Sequence, residues 1–285
     1  MRAFLGMGLL GSNFAKALLK KGEAVQVWNR TTSRATALEA DGAKAFANVA
    51  DAVKGADIIH ITVKDDASVD EVLAQAAAGF QPGATIIDHT TTSKQGAIER
   101  TAAWKAKGYT YLHAPVFMGP SNALDSSGFM LVSGDQAVVE KYTPVLESMT
   151  GKLLNFGPNE GQAAAIKLMG NCFLVAFTVG LSDTLALAKS LDLPQSDVTK
   201  LFEMWNPAGM LHGRMKRMTA GTYDQPSWEL NMARKDTQLF LDQAASTGTT
   251  LTAIPAIAET MDQWIAKGVG GKDWTVISSE NIPKP

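Results

Sequence analysis

The sequence predicts an α/β protein in which a doubly wound parallel sheet is followed by an all-helical C-terminal domain. Short apolar segments alternate with segments of helical periodicity over the first 160 residues, a pattern typical of a parallel sheet covered by helices on both faces. A glycine-rich turn directly follows the first apolar segment, and from Gly161 onward the pattern is helical with breaks near prolines. We therefore expect two domains, residues 1–160 and 161–285, joined through a long interdomain helix.

Composition and charge exclude several classes of protein. The 285 residues are 46% hydrophobic and 19% charged, as in ordinary soluble globular proteins. The formal net charge of -2 gives no electrostatic reason to expect binding to nucleic acid or to an anionic membrane. The single cysteine cannot form an intrachain disulfide, and the N-terminus shows no export signal, so we expect a cytoplasmic protein.

The first strand, predicted at Arg2–Leu5, runs into a Gly-x-Gly-x-x-Gly turn and then a helix predicted at Asn13–Lys21. Such a turn lets the backbone approach a pyrophosphate, while the helix N-terminus supplies free N–H groups. The alternative is a merely tight turn, but its place at the start of a β-α-β pattern favours a Rossmann-type dinucleotide site. The turn residues predicted to bind the cofactor are Gly6, Met7, Gly8, Leu9, Leu10 and Gly11.

The second predicted strand, Ala24–Trp28, ends in a basic loop rich in hydroxyl groups. An NAD-binding chain usually carries Asp or Glu here to bind the ribose, and residues 29–34 contain no carboxylate. Because the planar fork of arginine suits phosphate, we predict NADP(H) rather than NAD(H), with a solvated basic loop as the alternative. The loop residues predicted to bind the 2′-phosphate are Asn29, Arg30, Thr31, Ser33 and Arg34.

The alternation of strands and helices continues to about residue 156. The predicted strands are Ala43–Phe46, Ile58–Val63, Thr85–Asp88 and Tyr111–Ala114, with Phe129–Ser133 and Leu153–Phe156 as late strands of the same sheet. The predicted helices between them are Arg34–Asp41, Val49–Lys54, Ala67–Ala78, Ser93–Lys107 and Gln136–Met149.

Ligands of such sheets bind at the carboxyl ends of the strands. Val63, Lys64 and the segment 88–93 are therefore expected to rim the cofactor crevice. Thr90, Thr91 and Ser93 could equally cap the helix that follows.

Lys167 and Asn171 lie in the opening turns of a long helix predicted over residues 161–191. Being four residues apart, they share one helix face and can meet a common ligand. The residues from Ala163 to Leu181 are small or apolar, so we expect this face to be buried and the helix to be a core helix rather than a membrane span. A lone lysine could also run its stem along the core and place its ammonium in water.

Together, the ordered motifs resemble the β-hydroxyacid dehydrogenase family, which includes 3-hydroxyisobutyrate dehydrogenase and the glyoxylate and succinic semialdehyde reductases. The resemblance covers nearly the whole chain. The motifs that carry it are Gly6-x-Gly8-x-x-Gly11, Asp88-His-Thr-Thr91, Ala114-Pro-Val, the run from Gly161 through Lys167 to Asn171, and Lys235-Asp236.

The resemblance implies an NADP(H)-dependent oxidoreductase acting on a small carbonyl or hydroxy compound of the β-hydroxyacid or semialdehyde type. Lys167 would be the catalytic acid/base, and Asn171 would orient the substrate or the lysine. Thr91 would lie beside nicotinamide and substrate, and Lys235 near the cofactor. Trp228 falls where relatives place an aromatic residue over the site, although a core position is an equal alternative.

The chain departs from this family after Ala-Pro-Val. Relatives usually continue with a serine-bearing turn that binds the substrate carboxylate, whereas here Phe117, Met118 and Gly119 follow. We expect these three residues to bind substrate, and the apolar pair puts a small carboxylate in question, because a buried carboxylate needs hydrogen-bonding partners. The pocket is similar to that of imine reductases, so NADPH-dependent imine reduction is the alternative. An ammonium facing an iminium is unfavourable, which favours carbonyl chemistry.

The remaining expectations concern assembly and the other reactive side chains. A helix of about 45 Å is longer than a small helical domain covers, so its apolar middle, Phe173–Leu187, is expected to bury against another subunit in a homodimer or homotetramer. A core helix covered within one chain is the alternative. Cys172 is expected in the core. The histidines show no ligand spacing, so no metal is expected, although His89 and His113 could contact substrate.

Overall fold

The fold is described here from a computed structural model, in which residues 1–283 can be described. The chain forms two compact units, Met1–Cys172 and a second that begins at Phe173. The predicted domains, residues 1–160 and 161–285, are not tested by this division and remain a prediction. Alternation of strands and helices ends before Gly161, as expected, while the first compact unit continues for a further three turns of helix.

A six-stranded parallel sheet organises the first unit and confirms the predicted Rossmann-type class. Its strands lie in the order β3-β2-β1-β4-β5-β6, and every neighbouring pair is parallel. The chain order therefore reverses at β1 and β4, and ligands bind at such a switch point, beyond the carboxyl ends of the strands. The strands are β1 (Arg2–Leu5), β2 (Val25–Trp28), β3 (Lys44–Phe46), β4 (Ile58–Ile61), β5 (Thr85–Asp88) and β6 (Thr110–His113).

Helices cover both faces of this sheet because its strands carry apolar side chains on both sides. One face buries Phe4, Val27 and Ile87 against the first helix. The opposite face buries Ile59 and Ile86 against three others. The helices of this part are α1 (Leu9–Lys20), α2 (Thr32–Thr36), α3 (Val49–Ala52), α4 (Asp66–Ala76) and α5 (Lys94–Ala106), with 3-10 turns at Ala37–Asp41 and Ala77–Gly79.

The late strands were predicted to extend the same sheet, and that prediction is wrong. They form a separate three-stranded sheet in the order β7-β8-β9, with β7 antiparallel to β8. After β6 the chain adds a short strand that pairs with β8, so β8 finds its partner there rather than at the edge of the first sheet. The elements are β7 (Val116–Phe117), α6 (Pro120–Asp125), β8 (Phe129–Val132), α7 (Gln136–Glu147) and β9 (Lys152–Asn155).

The long helix α8 (Gln162–Ser190) exists as predicted, but most of its apolar surface is exposed. Ala163, Ala164 and Lys167 are buried. Beyond them the helix exposes its large apolar side chains, and Cys172, expected in the core, is exposed as well. The exposed apolar residues are Leu168, Met169, Phe173, Leu174, Val175, Phe177, Leu181 and Leu185.

Apolar composition alone could not have distinguished a helix buried within one chain from one that a single chain leaves uncovered. By length and hydropathy α8 is also the one helix within residues 1–283 that could cross a membrane, a test that core helices of soluble proteins pass too.

Helices make up most of the second unit, and a buried carboxylate on α8 binds the N-terminus of another helix. Asp183 of α8 accepts hydrogen bonds from the backbone N–H groups of Thr252, Ala253 and Ile254, at 2.7, 2.8 and 3.1 Å. These are the donors that a helix N-terminus leaves without an intrahelical acceptor. The remaining helices are α9 (Gln195–Met204), α10 (Leu211–Ala220), α11 (Leu230–Ser246) and α12 (Ile254–Ala266), with 3-10 turns at Pro207–Met210 and Trp274–Asn281.

Two stacked histidines lie inside the first unit. His89 Nδ1 lies 2.8 Å from the carbonyl oxygen of Ala114 and therefore donates to it, so His89 Nε2 accepts from His60 Nδ1 at 3.1 Å. Both rings stack on Phe4. Burial lowers the pKa of His60 well below 6.5 and that of His89 to about 4, so both are neutral in the folded protein.

These histidines make the free energy of unfolding depend on pH. Their folded-state pKa values lie below the unfolded value, so only the unfolded chain takes up protons as the pH falls from 6.5 toward 4. Each histidine should lower stability by up to about 1.4 kcal/mol per pH unit in that window. We expect His60→Phe to show a shallower dependence in urea unfolding measured across this range. The matched control is exposed His212→Gln, and equal slopes for His60→Phe and the wild type would contradict the assignment.

Candidate active site

The turn after β1 is so tight that two of its glycines have no room for a side chain. Gly6 has a φ of +97°, in the region that favours glycine, and a Cβ there would collide with the carbonyl oxygen of Thr62. A Cβ on Gly11 would collide with the carbonyl oxygen of Gly6. A Cβ on Gly8, by contrast, would meet no atom within 4 Å. Gly6 and Gly11 therefore serve close backbone packing, whereas Gly8 faces open space.

Free backbone donors at the start of α1 border a cavity of about 650 Å³. The helix begins at Leu9 after Gly8, and its first N–H groups have no intrahelical acceptor. These donors and the helix dipole fit a pyrophosphate. Of the predicted cofactor residues, those that line the cavity are Gly6, Gly8, Leu9, Leu10, Asn29, Arg30, Arg34, Val63 and Lys64.

The loop after β2 is only partly directed at this cavity. Asn29 ties the loop to the glycine turn, because its Oδ1 accepts from the Met7 N–H at 2.9 Å. Arg30 and Arg34 both line the cavity. Thr31 is the N-cap residue of α2 and Ser33 follows it within the helix, and both lie outside the lining.

Of the two roles predicted for the segment after β5, the structure shows the helix cap, whereas residues 88–93 lie outside the lining of the cofactor cavity. Ser93 caps α5, its Oγ accepting from the Gly96 N–H at 3.0 Å. Thr90 instead joins two strand ends, since its Oγ1 accepts from the Val63 N–H at 3.1 Å. Thr91 is exposed and lies outside the cavity lining.

A buried polar network behind this segment was not predicted. Asp88 is fully buried and accepts from the hydroxyl of Tyr111 at 2.6 Å and from the Thr90 N–H at 2.8 Å. Arg100 donates to the same hydroxyl at 3.1 Å and pairs with Asp66. The network holds the loop after β5 in place, and burial raises the pKa of Tyr111 well above its ordinary value.

One sequence feature could have revealed this network. Arg100 lies on the face of α5 that also buries Ala97 and Trp104, and an arginine at core spacing needs a buried partner.

His89 and His113 do not support the expectation that they contact substrate. Both ring nitrogens of His89 are used within the core. His113 donates from Nε2 to the carbonyl oxygen of Thr90 at 2.9 Å and is buried. The two rings hold backbone at strand ends, which is a supporting role.

The turn that carries the predicted substrate residues is held at several points. The Leu131 N–H donates to the Pro115 carbonyl at 2.9 Å, and Phe117 pairs with a residue of β8. The Gly119 N–H donates to Asn122 Oδ1, also at 2.9 Å. Helix α6, which follows, packs on α1, and Met118 lines the cofactor cavity. The turn is therefore a fixed wall of that cavity.

Lys167 contacts Asn171, as predicted, and also lies against Phe117. Its Nζ donates to Asn171 Oδ1 at 3.0 Å, one helical turn onward. The same atom lies 4.2 Å from the centroid of the Phe117 ring, within the range of a cation–π contact. Lys167 is only 8% exposed, and burial lowers the pKa of its ammonium below 10.5. The structure thus brings together Lys167, Asn171 and Phe117, and Phe117 precedes a residue of the cofactor cavity.

Comparison with known proteins identifies the family of the first unit. A family profile described as the NAD binding domain of 6-phosphogluconate dehydrogenase matches residues 2–157. The chain belongs to this family. It is an oxidoreductase with an NAD(P)-binding domain, and the predicted resemblance to 3-hydroxyisobutyrate dehydrogenases is confirmed. The likeness to imine reductases is one of fold.

Relatives of similar length cover nearly the whole chain. A 3-sulfolactaldehyde reductase of Escherichia coli (strain K12) is 28% identical over 96% of this chain and 93% of its own length. A probable 3-hydroxyisobutyrate dehydrogenase of Mycobacterium tuberculosis (strain ATCC 25618 / H37Rv) is 27% identical over 87% and 86%. An imine reductase from Myxococcus stipitatus in complex with NADP+ has a TM-score of 0.90 at 23% identity, covering 98% of both chains. This last likeness shows the shared fold.

Three family positions fall in the second unit. Lys235 Nζ pairs with Asp236 Oδ1 at 2.8 Å. Trp228 is 39% exposed and packs edge to face on Trp274, so it is not a core tryptophan. Their roles toward cofactor and substrate stay predictions.

Within residues 1–283, no group of three or more His, Cys, Asp or Glu side chains is placed to hold a metal ion. The ammonium of Lys167 is held by Asn171 beside Phe117, and Phe117 directly precedes a lining residue of the cofactor cavity.

Proposed function

We propose that the protein is an NADP(H)-dependent oxidoreductase that interconverts a small carbonyl compound and the corresponding alcohol. The observation that carries the proposal is the buried Lys167 ammonium, bonded to Asn171 and lying against the turn that walls the dinucleotide cavity. When bound, the cofactor supplies or accepts a hydride. Residues of the chain must then orient the substrate and handle one proton.

Lys167 is suited to that proton. A carbonyl oxygen gains negative charge as hydride arrives, and an ammonium within hydrogen-bond reach stabilises the charge and donates the proton. In the reverse direction the neutral amine accepts it. Burial lowers the pKa of Lys167, which brings the proton donor closer to physiological pH. Asn171 fixes the direction of the ammonium through its Oδ1.

The basic loop supports NADP(H) as the cofactor. Arg30 and Arg34 line the cavity, and residues 29–34 contain no carboxylate that would repel a 2′-phosphate. A guanidinium can bind such a phosphate in a bidentate manner. Asn29, held by the glycine turn, keeps this loop at the cavity edge.

Imine reduction is the second candidate, and the apolar turn favours it. Phe117 and Met118 offer the bulk and apolar surface that a cyclic or bulky imine would contact. An ammonium at Lys167 would repel an iminium, so we rank carbonyl chemistry first. Assays of a cyclic imine beside succinic semialdehyde and glyoxylate, each with NADPH, separate the two.

We also propose that the protein assembles as a homodimer or homotetramer through α8. A single chain leaves eight large apolar side chains of this helix exposed between Leu168 and Leu185. Such patches mark interaction surfaces. A second copy of the same helix would cover them symmetrically.

Replacing Lys167 tests the proton donor. Lys167→Ala should lower kcat for carbonyl reduction by about 100- to 10,000-fold, with NADPH affinity nearly unchanged. In the wild type, kcat/KM for reduction should fall at alkaline pH with a midpoint below 10.5, because the ammonium is needed and its pKa is lowered. Lys189→Ala, at the exposed end of the same helix, is the control. Substantial turnover by Lys167→Ala would refute the assignment.

Replacing Arg30 tests the choice of cofactor. Arg30→Ala should raise the KM for NADPH by roughly 10- to 100-fold, as expected for one charge-assisted bond, and leave the KM for NADH nearly unchanged. Lys20→Ala removes the same charge from the exposed end of α1 and should leave both values unchanged. An unaltered preference in Arg30→Ala would remove Arg30 from the phosphate site.

Light scattering tests assembly. At micromolar concentration the wild type should have at least twice the chain mass, and Val175→Glu, at a position 65% exposed, should shift it toward the monomer because the new charge would be buried without a partner. Lys189→Glu is the control on the same helix. A monomeric wild type would overturn this part of the proposal.

A further inference from the structure

Phe117 and Gly170 form a matched contact beside the proposed proton donor. A Cβ on Gly170 would overlap Cζ of the Phe117 ring and lie 2.8 Å from Cε1 and 3.3 Å from Cε2. Real Cβ atoms do not approach carbon this closely. The tip of the ring therefore rests on the bare backbone of α8, and any side chain at position 170 would push the ring away.

The backbone at Phe117 is fixed, so it cannot shift to move the ring away from a side chain at position 170. Phe117 pairs with Phe129 in the small sheet, and the bonds of Pro115 and Gly119 fix the turn on both sides. Helix α6, next in the chain, packs on α1. A side chain at position 170 would thus be accommodated mainly by rotating Phe117 off Lys167.

The position of the ring limits what Lys167 can bind. An ammonium has three N–H donors. One is directed to Asn171 Oδ1 at 3.0 Å, and the Phe117 ring, which offers no acceptor oxygen, lies with its centroid 4.2 Å from Nζ. One donor then remains for a substrate oxygen, enough for a carbonyl but not for a carboxylate as well.

The turn that contains Phe117 offers a substrate carboxylate few hydrogen-bond donors. The face of an aromatic ring carries partial negative charge and repels an anion. The Gly119 N–H, which could otherwise point to a carboxylate, is bonded to Asn122 at 2.9 Å. A carboxylate buried without such partners is strongly disfavoured.

We propose that Phe117 and Gly170 together determine specificity, selecting neutral carbonyl substrates over those that carry a carboxylate close to the reacting carbon. Phe117 contacts the substrate and Lys167, and Gly170 is a positioning residue that seats the ring. This inference rests on the proposed function and narrows its substrate class.

Two substrates that differ only in the negative charge of a carboxylate test the proposed selectivity. Succinic semialdehyde and its methyl ester present the same aldehyde and differ at the carboxylate. The wild type should prefer the ester by at least about tenfold in kcat/KM with NADPH, because Phe117 offers no donor to the anion. In Phe117→Ser, which supplies a hydroxyl and frees a donor of Lys167, the preference should fall below about threefold.

A double-mutant cycle tests whether Gly170 acts through the position of the Phe117 ring. Gly170→Ala should lower kcat for the ester by roughly tenfold or more in the wild-type background, and by less than about twofold when Phe117 is already Ser, since contacting residues are not additive. Gly213→Ala is the matched control, because Gly213 is a helical glycine of α10 at which a Cβ meets no atom of this chain within 4 Å. NADPH binding measured by fluorescence shows whether each variant is folded. If Phe117→Ser does not fold, Phe117→Leu takes its place as the second background of the cycle.

The outcomes separate this inference from the proposed function. An active wild type that uses acid and ester equally overturns the substrate class, and an equal effect of Gly170→Ala in both backgrounds overturns the pairing. Either result leaves the oxidoreductase proposal intact. Loss of the proposed function would instead appear as no NADPH oxidation with either aldehyde despite cofactor binding.

Discussion

Gly6 meets the carbonyl oxygen of Thr62, and Gly11 meets that of Gly6, so closely that no side chain fits between them. These contacts set the distance between the end of β1, the end of β4 and the start of α1. With α1 in place, α6 packs on it, and the turn of Phe117 and Met118 is fixed beside the cavity. The positions of both the nucleotide site and the apolar wall thus depend on backbone contacts that a single methyl group would break.

Local features of the sequence were sufficient to predict the first sheet and the glycine turn. β1 to β5 are short, largely apolar segments that are each followed by a helix, so the pattern predicts parallel strands covered by helices. The pairing of Lys167 with Asn171 was also predictable, because helical spacing decides it.

Contacts that depend on partners distant in sequence were not predictable in the same way. An apolar pattern predicts a strand but not which other strand it pairs with. For this reason β8 and β9 were assigned to the wrong sheet. The core spacing of Arg100 on α5 indicates that it needs a buried partner but does not identify Tyr111 or Asp88. Nothing in the sequence near Gly170 points to Phe117. The face of α8 that a single chain leaves exposed was expected to be covered either by a second subunit or within the chain, because composition reports how apolar a surface is and not which molecule covers it.

The contact between Phe117 and Gly170 also has a consequence for descent. An ancestor with a side chain at position 170 could not have accepted phenylalanine at 117 in its present pose, because the ring would have had no place to rest. Glycine, however, could appear first at modest cost to the helix. A side chain that returned to position 170 would displace the ring from Lys167, whereas a glycine at that position is compatible with any side chain at 117.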